Sequence, residues 1–178
     1  MKEKRIGPAT IRLLQGDITT CEVDAVINVT GKTLVPHDDD DSTQAVEIDP
    51  ALWDDSDDEH PVVMKPGQEL KAQHILLAPI VETTSTSGAH KIRKTMRRIL
   101  EEAQENGLKT LALPAIGAGI NRYPIERCAE ILFEELARSV LREGNTIEKV
   151  VFVLDTQKSY RIFEQVLNEF KQDLHARD

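Results

Sequence analysis

A chain of 178 residues with 40% apolar and 30% charged residues fits a globular protein large enough to bury a core without disulfides or a structural metal. No run approaches the ~18 consecutive apolar residues of a membrane-spanning helix, and the start, MKEKRIGPATIRLL, lacks the apolar region and cleavage site of a signal peptide. We therefore expect a cytoplasmic protein with no membrane segment. Cys21 and Cys128 show no metal-binding spacing, so we interpret both as reduced packing residues and expect neither a cofactor nor a resident metal.

The net charge of -9 is concentrated in one stretch. Of the 31 acidic residues, 11 lie between Lys32 and Lys65, where the chain has no lysine or arginine, and four of them form the run Asp38–Asp41. Affinity for a nucleic-acid backbone depends on lysine and arginine side chains that release counterions. Nucleic acid is therefore not expected as a partner of this face.

Strand and helix patterns alternate along the rest of the chain. Short β-branched apolar runs predict strands at residues 10–16, 24–31, 73–80, 109–116 and 149–154. Helical spacing of apolar residues predicts one helix over 88–107, a second that starts at Pro124 and ends at Gly144, and a third over 156–174. Because helices separate near-continuous apolar strands, the sequence predicts an α/β layered sheet in one domain.

Two stretches are candidates for a binding site, because ligands of such sheets meet the turns that follow the strands. In LPAIGAGINRYP, residues 113–124, a strand ends in Gly117-Ala118-Gly119 before a helix, so backbone N–H groups can approach an anion. Alternatively, the small residues only permit a sharp bend. In QGDITTCEVDAVINV, residues 15–29, Asp17 follows a strand; alternatively, Asp17 and Thr19 cap a turn.

Together the two stretches resemble the macro domain, an ADP-ribose-binding family. IRLLQGDITTCEVDAVINV is similar to the family's opening strand, G-D-I-T turn and second strand, and LALPAIGAGINRYPIERCAEIL is similar to its second binding loop and the following helix. The resemblance covers nearly the whole chain apart from about residues 36–66. It implies one macro-like domain over residues 1–178, with a three-layer α/β/α fold, a mixed central sheet and an acidic insertion or remodelled loop at about 36–66.

The resemblance also implies the roles of individual residues. Asp17 matches the aspartate that accepts a hydrogen bond from the adenine amino group, and the backbone of Ile18 lies beside it. The residues that match the loop holding the diphosphate and covering the distal ribose are Gly117, Ala118, Gly119, Ile120 and Asn121. Family members often have an aromatic residue at the position of Asn121 and a glycine at that of Arg122.

The stretch after the second strand departs from the family pattern. Asn28 keeps the first asparagine of the family's Asn-Ala-Ala-Asn, but Gly31 replaces the second, and the following row of glycines becomes Pro-His-Asp-Asp-Asp at residues 36–40. Asp41 falls level with the aspartate of the hydrolases. Aspartates add bulk and negative charge where glycines let backbone donors touch a diphosphate.

We therefore expect a binding module for ADP-ribose or a related nucleotide, with weakened or altered binding and no hydrolase activity. The alternatives are a mono-ADP-ribosyl hydrolase, with Asp41 as its candidate catalytic residue, and a pseudo-domain that acts through protein contacts. The acidic loop has its own alternatives: a solvated loop, a divalent-cation site in HDDDDS that lacks the spacing of a calcium loop, a cover over the pocket, or a contact with a protein partner or a second copy. Trp53, in EIDPALWDD, is either an anchor for such a contact or an ordinary packing residue.

Overall fold

The computed structural model describes residues 2–29, 62–64, 70–78, 88–118 and 123–171. Its strands are β1 (Lys2–Ile6), β2 (Ala9–Gln15), β3 (Ala25–Asn28), β4 (Val62–Met64), β5 (His74–Leu77), β6 (Thr110–Leu113) and β7 (Lys149–Leu154). Its helices are α1 (Gly88–Glu105), α2 (Ile125–Val140) and α3 (Gln157–Glu169), and one 3-10 turn spans Ile18–Thr20.

The described strands form one mixed sheet in the order β1-β2-β7-β6-β3-β5-β4. The five inner strands, β2, β7, β6, β3 and β5, run parallel, whereas β1 and β4 pair antiparallel at the two sides. The mixed α/β sheet predicted from the sequence is thus confirmed. The organisation of residues 1–178 as a single domain stays a prediction, and the acidic stretch at about 36–66 lies outside the described residues except for β4.

Strand β7 illustrates how the sheet is buried on both faces. Val150, Phe152 and Leu154 face the core beneath the helices, and Val151 and Val153 face a second apolar cluster on the opposite side. A strand with both faces covered reads as a continuous apolar run rather than an alternating one. This is why KVVFVL predicted β7 at its observed bounds.

The three described helices lie side by side on one face of the sheet, α1 against α2 and α2 against α3. Helix α1 buries the residues that its helical spacing predicted: Ile92, Met96, Ile99, Leu100 and Ala103. It ends in a Schellman motif, in which Gly107, at φ +66°, donates to Gln104 O (3.0 Å) and Leu108 donates to Ala103 O (2.8 Å). None of the described helices is long and apolar enough to cross a bilayer.

The predicted bounds of α2 were wrong at both ends. Pro124 precedes the helix as its N-cap, because its ψ of 123° is extended rather than helical. The helix ends at Val140, and Gly144 lies in the turn beyond it, where its φ of +80° suits glycine.

The sequence did not predict β1, whose residues KEKRI are mostly charged. The strand forms because it pairs with β2 through the turn at Gly7, and a charged edge strand resists pairing with other chains. Lys4 also reaches the carboxyl end of α3, where its ammonium group donates to Leu167 O (2.8 Å) and Phe170 O (2.6 Å). A cation at that position complements the helix dipole.

Asp24 holds the beginnings of β3 and β6 together. Its Oδ2 accepts hydrogen bonds from the backbone N–H groups of Lys109 (2.8 Å) and Thr110 (3.0 Å), and its own N–H donates to Thr110 Oγ1 (2.8 Å). The two strands, which carry Asn28 and the Gly117 loop at their other ends, are thereby fixed in register.

Candidate ligand-binding site

The carboxyl ends of the parallel strands define one edge of the sheet, which we call the carboxyl edge. Gln15 at the end of β2 lies opposite Leu154 at the end of β7, so Asp17 emerges at this edge. The loop of residues 114–118, here called the second loop, follows β6 at the same edge. One strand, β7, separates β2 from β6, which sets their axes about 10 Å apart.

The connections between the parallel strands lie on two opposite faces of the sheet. The chain passes from β2 to β3 across two strands, and Cys21 and Val23 pack on the face opposite the helices. The connections from β6 to β7 and from β5 to β6 run in the other direction through α2 and α1, on the helical face. Because parallel crossovers share one hand, such a reversal opens a crevice at the carboxyl ends, where ligands of α/β sheets bind.

Asp17 is fixed in place by the turn that follows it. Its Oδ1 accepts hydrogen bonds from the backbone N–H (2.9 Å) and hydroxyl (2.7 Å) of Thr19, and it is the N-cap of the 3-10 turn. The capping interpretation of Asp17 and Thr19 is therefore confirmed. Capping is compatible with a ligand contact, because a carboxylate offers about four acceptor positions. Ile18 is half-buried beside it and packs on the second apolar cluster.

Gly117 is required by its backbone angle and by its neighbours. Its φ is +85°, and a Cβ atom there would lie 2.5 Å from Ile92 Cδ1, 2.6 Å from Ile92 Cγ1 and 3.5 Å from Cys128 Sγ. The next residue, Ala118, donates its N–H to Ala115 O at 3.1 Å. The backbone of the second loop thus rests directly on α1 and α2. Gly119, Ile120, Asn121 and Arg122 lie outside the described residues.

Asn28 ends β3 and is buried, with 4% of its surface exposed. Its carbonyl accepts a hydrogen bond from Ala78 N–H (2.9 Å), so β3 stays bound to β5 up to the carboxyl edge. On the other side, the described ladder between β3 and β6 stops at the pair Val26–Ala112. The sheet therefore loosens between Asn28 and the second loop, on the side where the crevice opens.

Both cysteines are buried and free, which confirms their interpretation as packing residues. Burial raises the pKa of the Cys128 thiol to about 12. Burial also raises the pKa of Cys21, with a further contribution from the Asp17 carboxylate that Lys149 opposes. A nucleophilic cysteine requires a lowered pKa, so neither thiol suits covalent chemistry at neutral pH.

The residues predicted from the acidic stretch, including Asp41, HDDDDS and Trp53, lie outside the described residues. Within the described ranges, no group of three histidine, cysteine, aspartate or glutamate side chains is arranged to hold a metal ion. A cavity of about 470 Å³ opens between Leu14 and Gln15 of β2 and the first turns of α3. No pattern in the sequence indicated this cavity.

Comparisons with known proteins agree with this geometry. The sequence profile of the Macro domain matches residues 59–132. The Macro domain-containing protein TTE0995 of Caldanaerobacter subterraneus subsp. tengcongensis is 27% identical over 181 residues, which cover 95% of this chain and 98% of the relative. The Oceanobacillus iheyensis macrodomain with ADP matches with a TM-score of 0.74 over 94% of this chain and 95% of its own, at 20% identity. These matches confirm the predicted resemblance to the macro domain family.

The likeness to the Oceanobacillus iheyensis macrodomain confirms the predicted α/β/α macro-domain fold. A further relative, ADP-ribose glycohydrolase MACROD2 of Homo sapiens, is 24% identical over 170 residues, which cover 90% of this chain but 40% of MACROD2. The structure brings Asp17, Ile18, Asn28, Gly117 and Ala118 to one edge of the sheet. The sequence did not indicate that Ile92 and Cys128 support the second loop, because only the fold brings them beneath it.

Proposed function

We propose that this macro domain binds ADP-ribose or a related nucleotide diphosphate at the carboxyl edge, with altered or weakened affinity and without hydrolysing it. The observation that carries the proposal is the common location of Asp17 and the second loop, about two strand spacings apart, on either side of β7. Asp17 would accept a hydrogen bond from the adenine amino group. The backbone N–H groups from Gly117 onward would hold the diphosphate, and the Oceanobacillus iheyensis neighbour bound to ADP supports this ligand class.

The proposed loss of affinity rests on the sequence of residues 36–41. Like charges ~4 Å apart repel by about 1 kcal/mol in bulk water and by ~4 kcal/mol near a protein surface. Micromolar binding corresponds to only about 8 kcal/mol. Aspartates that take the place of the glycine row would therefore cancel much of the affinity for a diphosphate, unless a divalent cation neutralises them.

Calorimetric titration with ADP-ribose, in EDTA and in magnesium or calcium, tests the binding proposal directly. Heat of binding in at least one of these conditions supports the ligand class. Binding that needs the cation would assign the acidic loop to the phosphate side of the ligand. The absence of binding in every condition would refute the proposal and favour the pseudo-domain that acts through protein contacts.

Asp17→Asn tests the adenine contact while it preserves the turn. The amide keeps one oxygen for the Thr19 N–H, but it places an NH2 donor where the adenine amino group needs an acceptor. ADP and inosine diphosphate differ at this position, since the inosine base carries an acceptor oxygen. We expect the wild type to prefer ADP by about tenfold, the cost of one unsatisfied hydrogen bond, and Asp17→Asn to lose that preference.

Glu22→Gln is the matched control, because it removes the same charge from an exposed side chain at the opposite edge of the sheet. It should leave the ratio of ADP to inosine diphosphate affinity unchanged. An unchanged ratio in Asp17→Asn would mean that Asp17 serves only as a cap.

Hydrolysis is the second candidate function, because the relative MACROD2 is named an ADP-ribose glycohydrolase. Incubation with a mono-ADP-ribosylated protein separates the hydrolase from the binding module, and unchanged substrate supports the binding module. Release of ADP-ribose that Asp41→Ala abolishes would instead establish the hydrolase.

We further propose a cytoplasmic location, which the two free, buried thiols support.

A further inference from the structure

A buried carboxylate joins α1 to α2. Glu135 has 3% of its surface exposed, and it accepts hydrogen bonds from Arg93 Nη1 (2.8 Å), Arg97 Nε (3.3 Å) and Arg97 Nη2 (3.4 Å). Arg93 also donates to Glu134 Oε2 at 3.0 Å. We call these four residues the Glu135 cluster.

The Glu135 cluster fixes the position of α1 relative to α2 more than it stabilises the fold. Burial disfavours the charged form of Arg93, but its hydrogen bonds and proximity to Glu135 and Glu134 outweigh burial and raise its pKa, so it stays charged. Replacing a buried ion pair with apolar residues is often neutral or stabilising, and the best-attested role of such pairs is to specify register. The bonds of the Glu135 cluster allow α1 little freedom to slide along α2.

The position of α1 matters because its first turns support the second loop. Ile92, the neighbour of Arg93, lies against Gly117 so closely that a Cβ atom would meet it at 2.5 Å. Cys128, two helical turns before Glu135 on α2, lies against the same glycine. Interiors are packed with little free space, so a shift of α1 along α2 must move the backbone of the loop.

We propose that Glu135 is a positioning residue for the ligand site. It holds α1 through Arg93, this contact sets the position of Ile92, and Ile92 sets the backbone of the second loop, whose N–H groups face the diphosphate. The inference rests on the proposed function, since it concerns the affinity of that same site. The expected signature is a loss of the affinity contributed by the diphosphate of the ligand, with the affinity contributed by the adenine unchanged.

The same helix pair supplies a matched control. At the far end of the interface, Gln104 Nε2 donates to Ser139 Oγ at 2.7 Å, about three helical turns from Ile92. Gln104→Ala removes a part-buried bond between α1 and α2 and lowers stability, but it leaves the contacts beneath the second loop in place. A purely structural role for Glu135 predicts that the two variants behave alike.

The test compares Glu135→Gln with Gln104→Ala, using ADP-ribose and adenosine as ligands and thermal unfolding to measure stability. Glu135→Gln should lower the affinity for ADP-ribose by about tenfold, a change typical of residues that act through packed neighbours. It should leave adenosine affinity unchanged, and Gln104→Ala should change neither. Unchanged ADP-ribose affinity in folded Glu135→Gln, or equal losses for both ligands, would overturn the proposal.

Two further measurements keep the outcomes distinct. If Glu135→Gln does not fold, Arg93→Lys replaces it, because lysine keeps the charge but cannot bridge both glutamates in the same way, and the same outcomes apply. If the wild type binds no ADP-ribose, the proposed function fails, and hydrogen exchange of the Ala118 N–H decides the inference alone. Faster exchange in Glu135→Gln than in Gln104→Ala supports it, and equal exchange overturns it.

Discussion

Replacing Gly117 with alanine tests whether the second loop is held by contact with α1. The left-handed backbone costs an alanine about 1–2 kcal/mol. The new Cβ atom at 2.5 Å from Ile92 Cδ1 must move outward by about 1 Å to reach ordinary contact, and overpacking of this kind costs about 1–3 kcal/mol. We therefore expect Gly117→Ala to lower the free energy of unfolding, measured by urea denaturation, by about 2–5 kcal/mol. It should also lower the affinity for ADP-ribose.

Gly107 provides the control, because its φ of +66° is similar but a Cβ atom there would meet nothing within 4 Å. Gly107→Ala should therefore cost only the backbone term of about 1–2 kcal/mol. In the double variant Gly117→Ala/Ile92→Ala, the clash is removed, so the loss should be smaller than the sum of the single losses. Equal losses for Gly117→Ala and Gly107→Ala would refute the contact with Ile92 as the reason for the glycine.

Further predictions follow from the contacts of Asp24, Cys128 and Lys4. Asp24→Ala should lower the free energy of unfolding by about 1–3 kcal/mol, because it removes the acceptor of the exposed Lys109 N–H and of the part-buried Thr110 N–H. Asp24→Asn, which keeps one oxygen, should lose less. Cys128 should resist dithionitrobenzoate at pH 8 until urea exposes it. Since its folded pKa is raised to about 12, stability should also fall as pH rises above about 9, more steeply in the wild type than in Cys128→Ala. Lys4→Met should lose about 1 kcal/mol by thermal or urea unfolding, because it removes the cation at the carboxyl end of α3; an unchanged midpoint would show that this contact adds no stability.

The strength of the sequence prediction differed from element to element for physical reasons. Strand β7 and the buried face of α1 were predictable, because burial on both faces or on one helical stripe leaves a local apolar pattern. The charged residues of β1 leave no such pattern, since that strand exists only by pairing with β2. The start of α2 was placed one residue early because proline suits both the N-cap and the first helical position.

Neighbouring residues encode the order of the five parallel strands and the three helices and the two turns that carry Asp17 and Gly117, because periodicity and turn chemistry are local. The contact of Gly117 with Ile92, the common edge of Asp17 and the second loop, and the burial of Glu135 between two arginines depend instead on tertiary packing. Arg93 and Glu135 are 42 residues apart, and each resembles an ordinary surface position of its own helix. A contact between distant segments depends on how the whole sheet and its helices pack, so no local pattern encodes it.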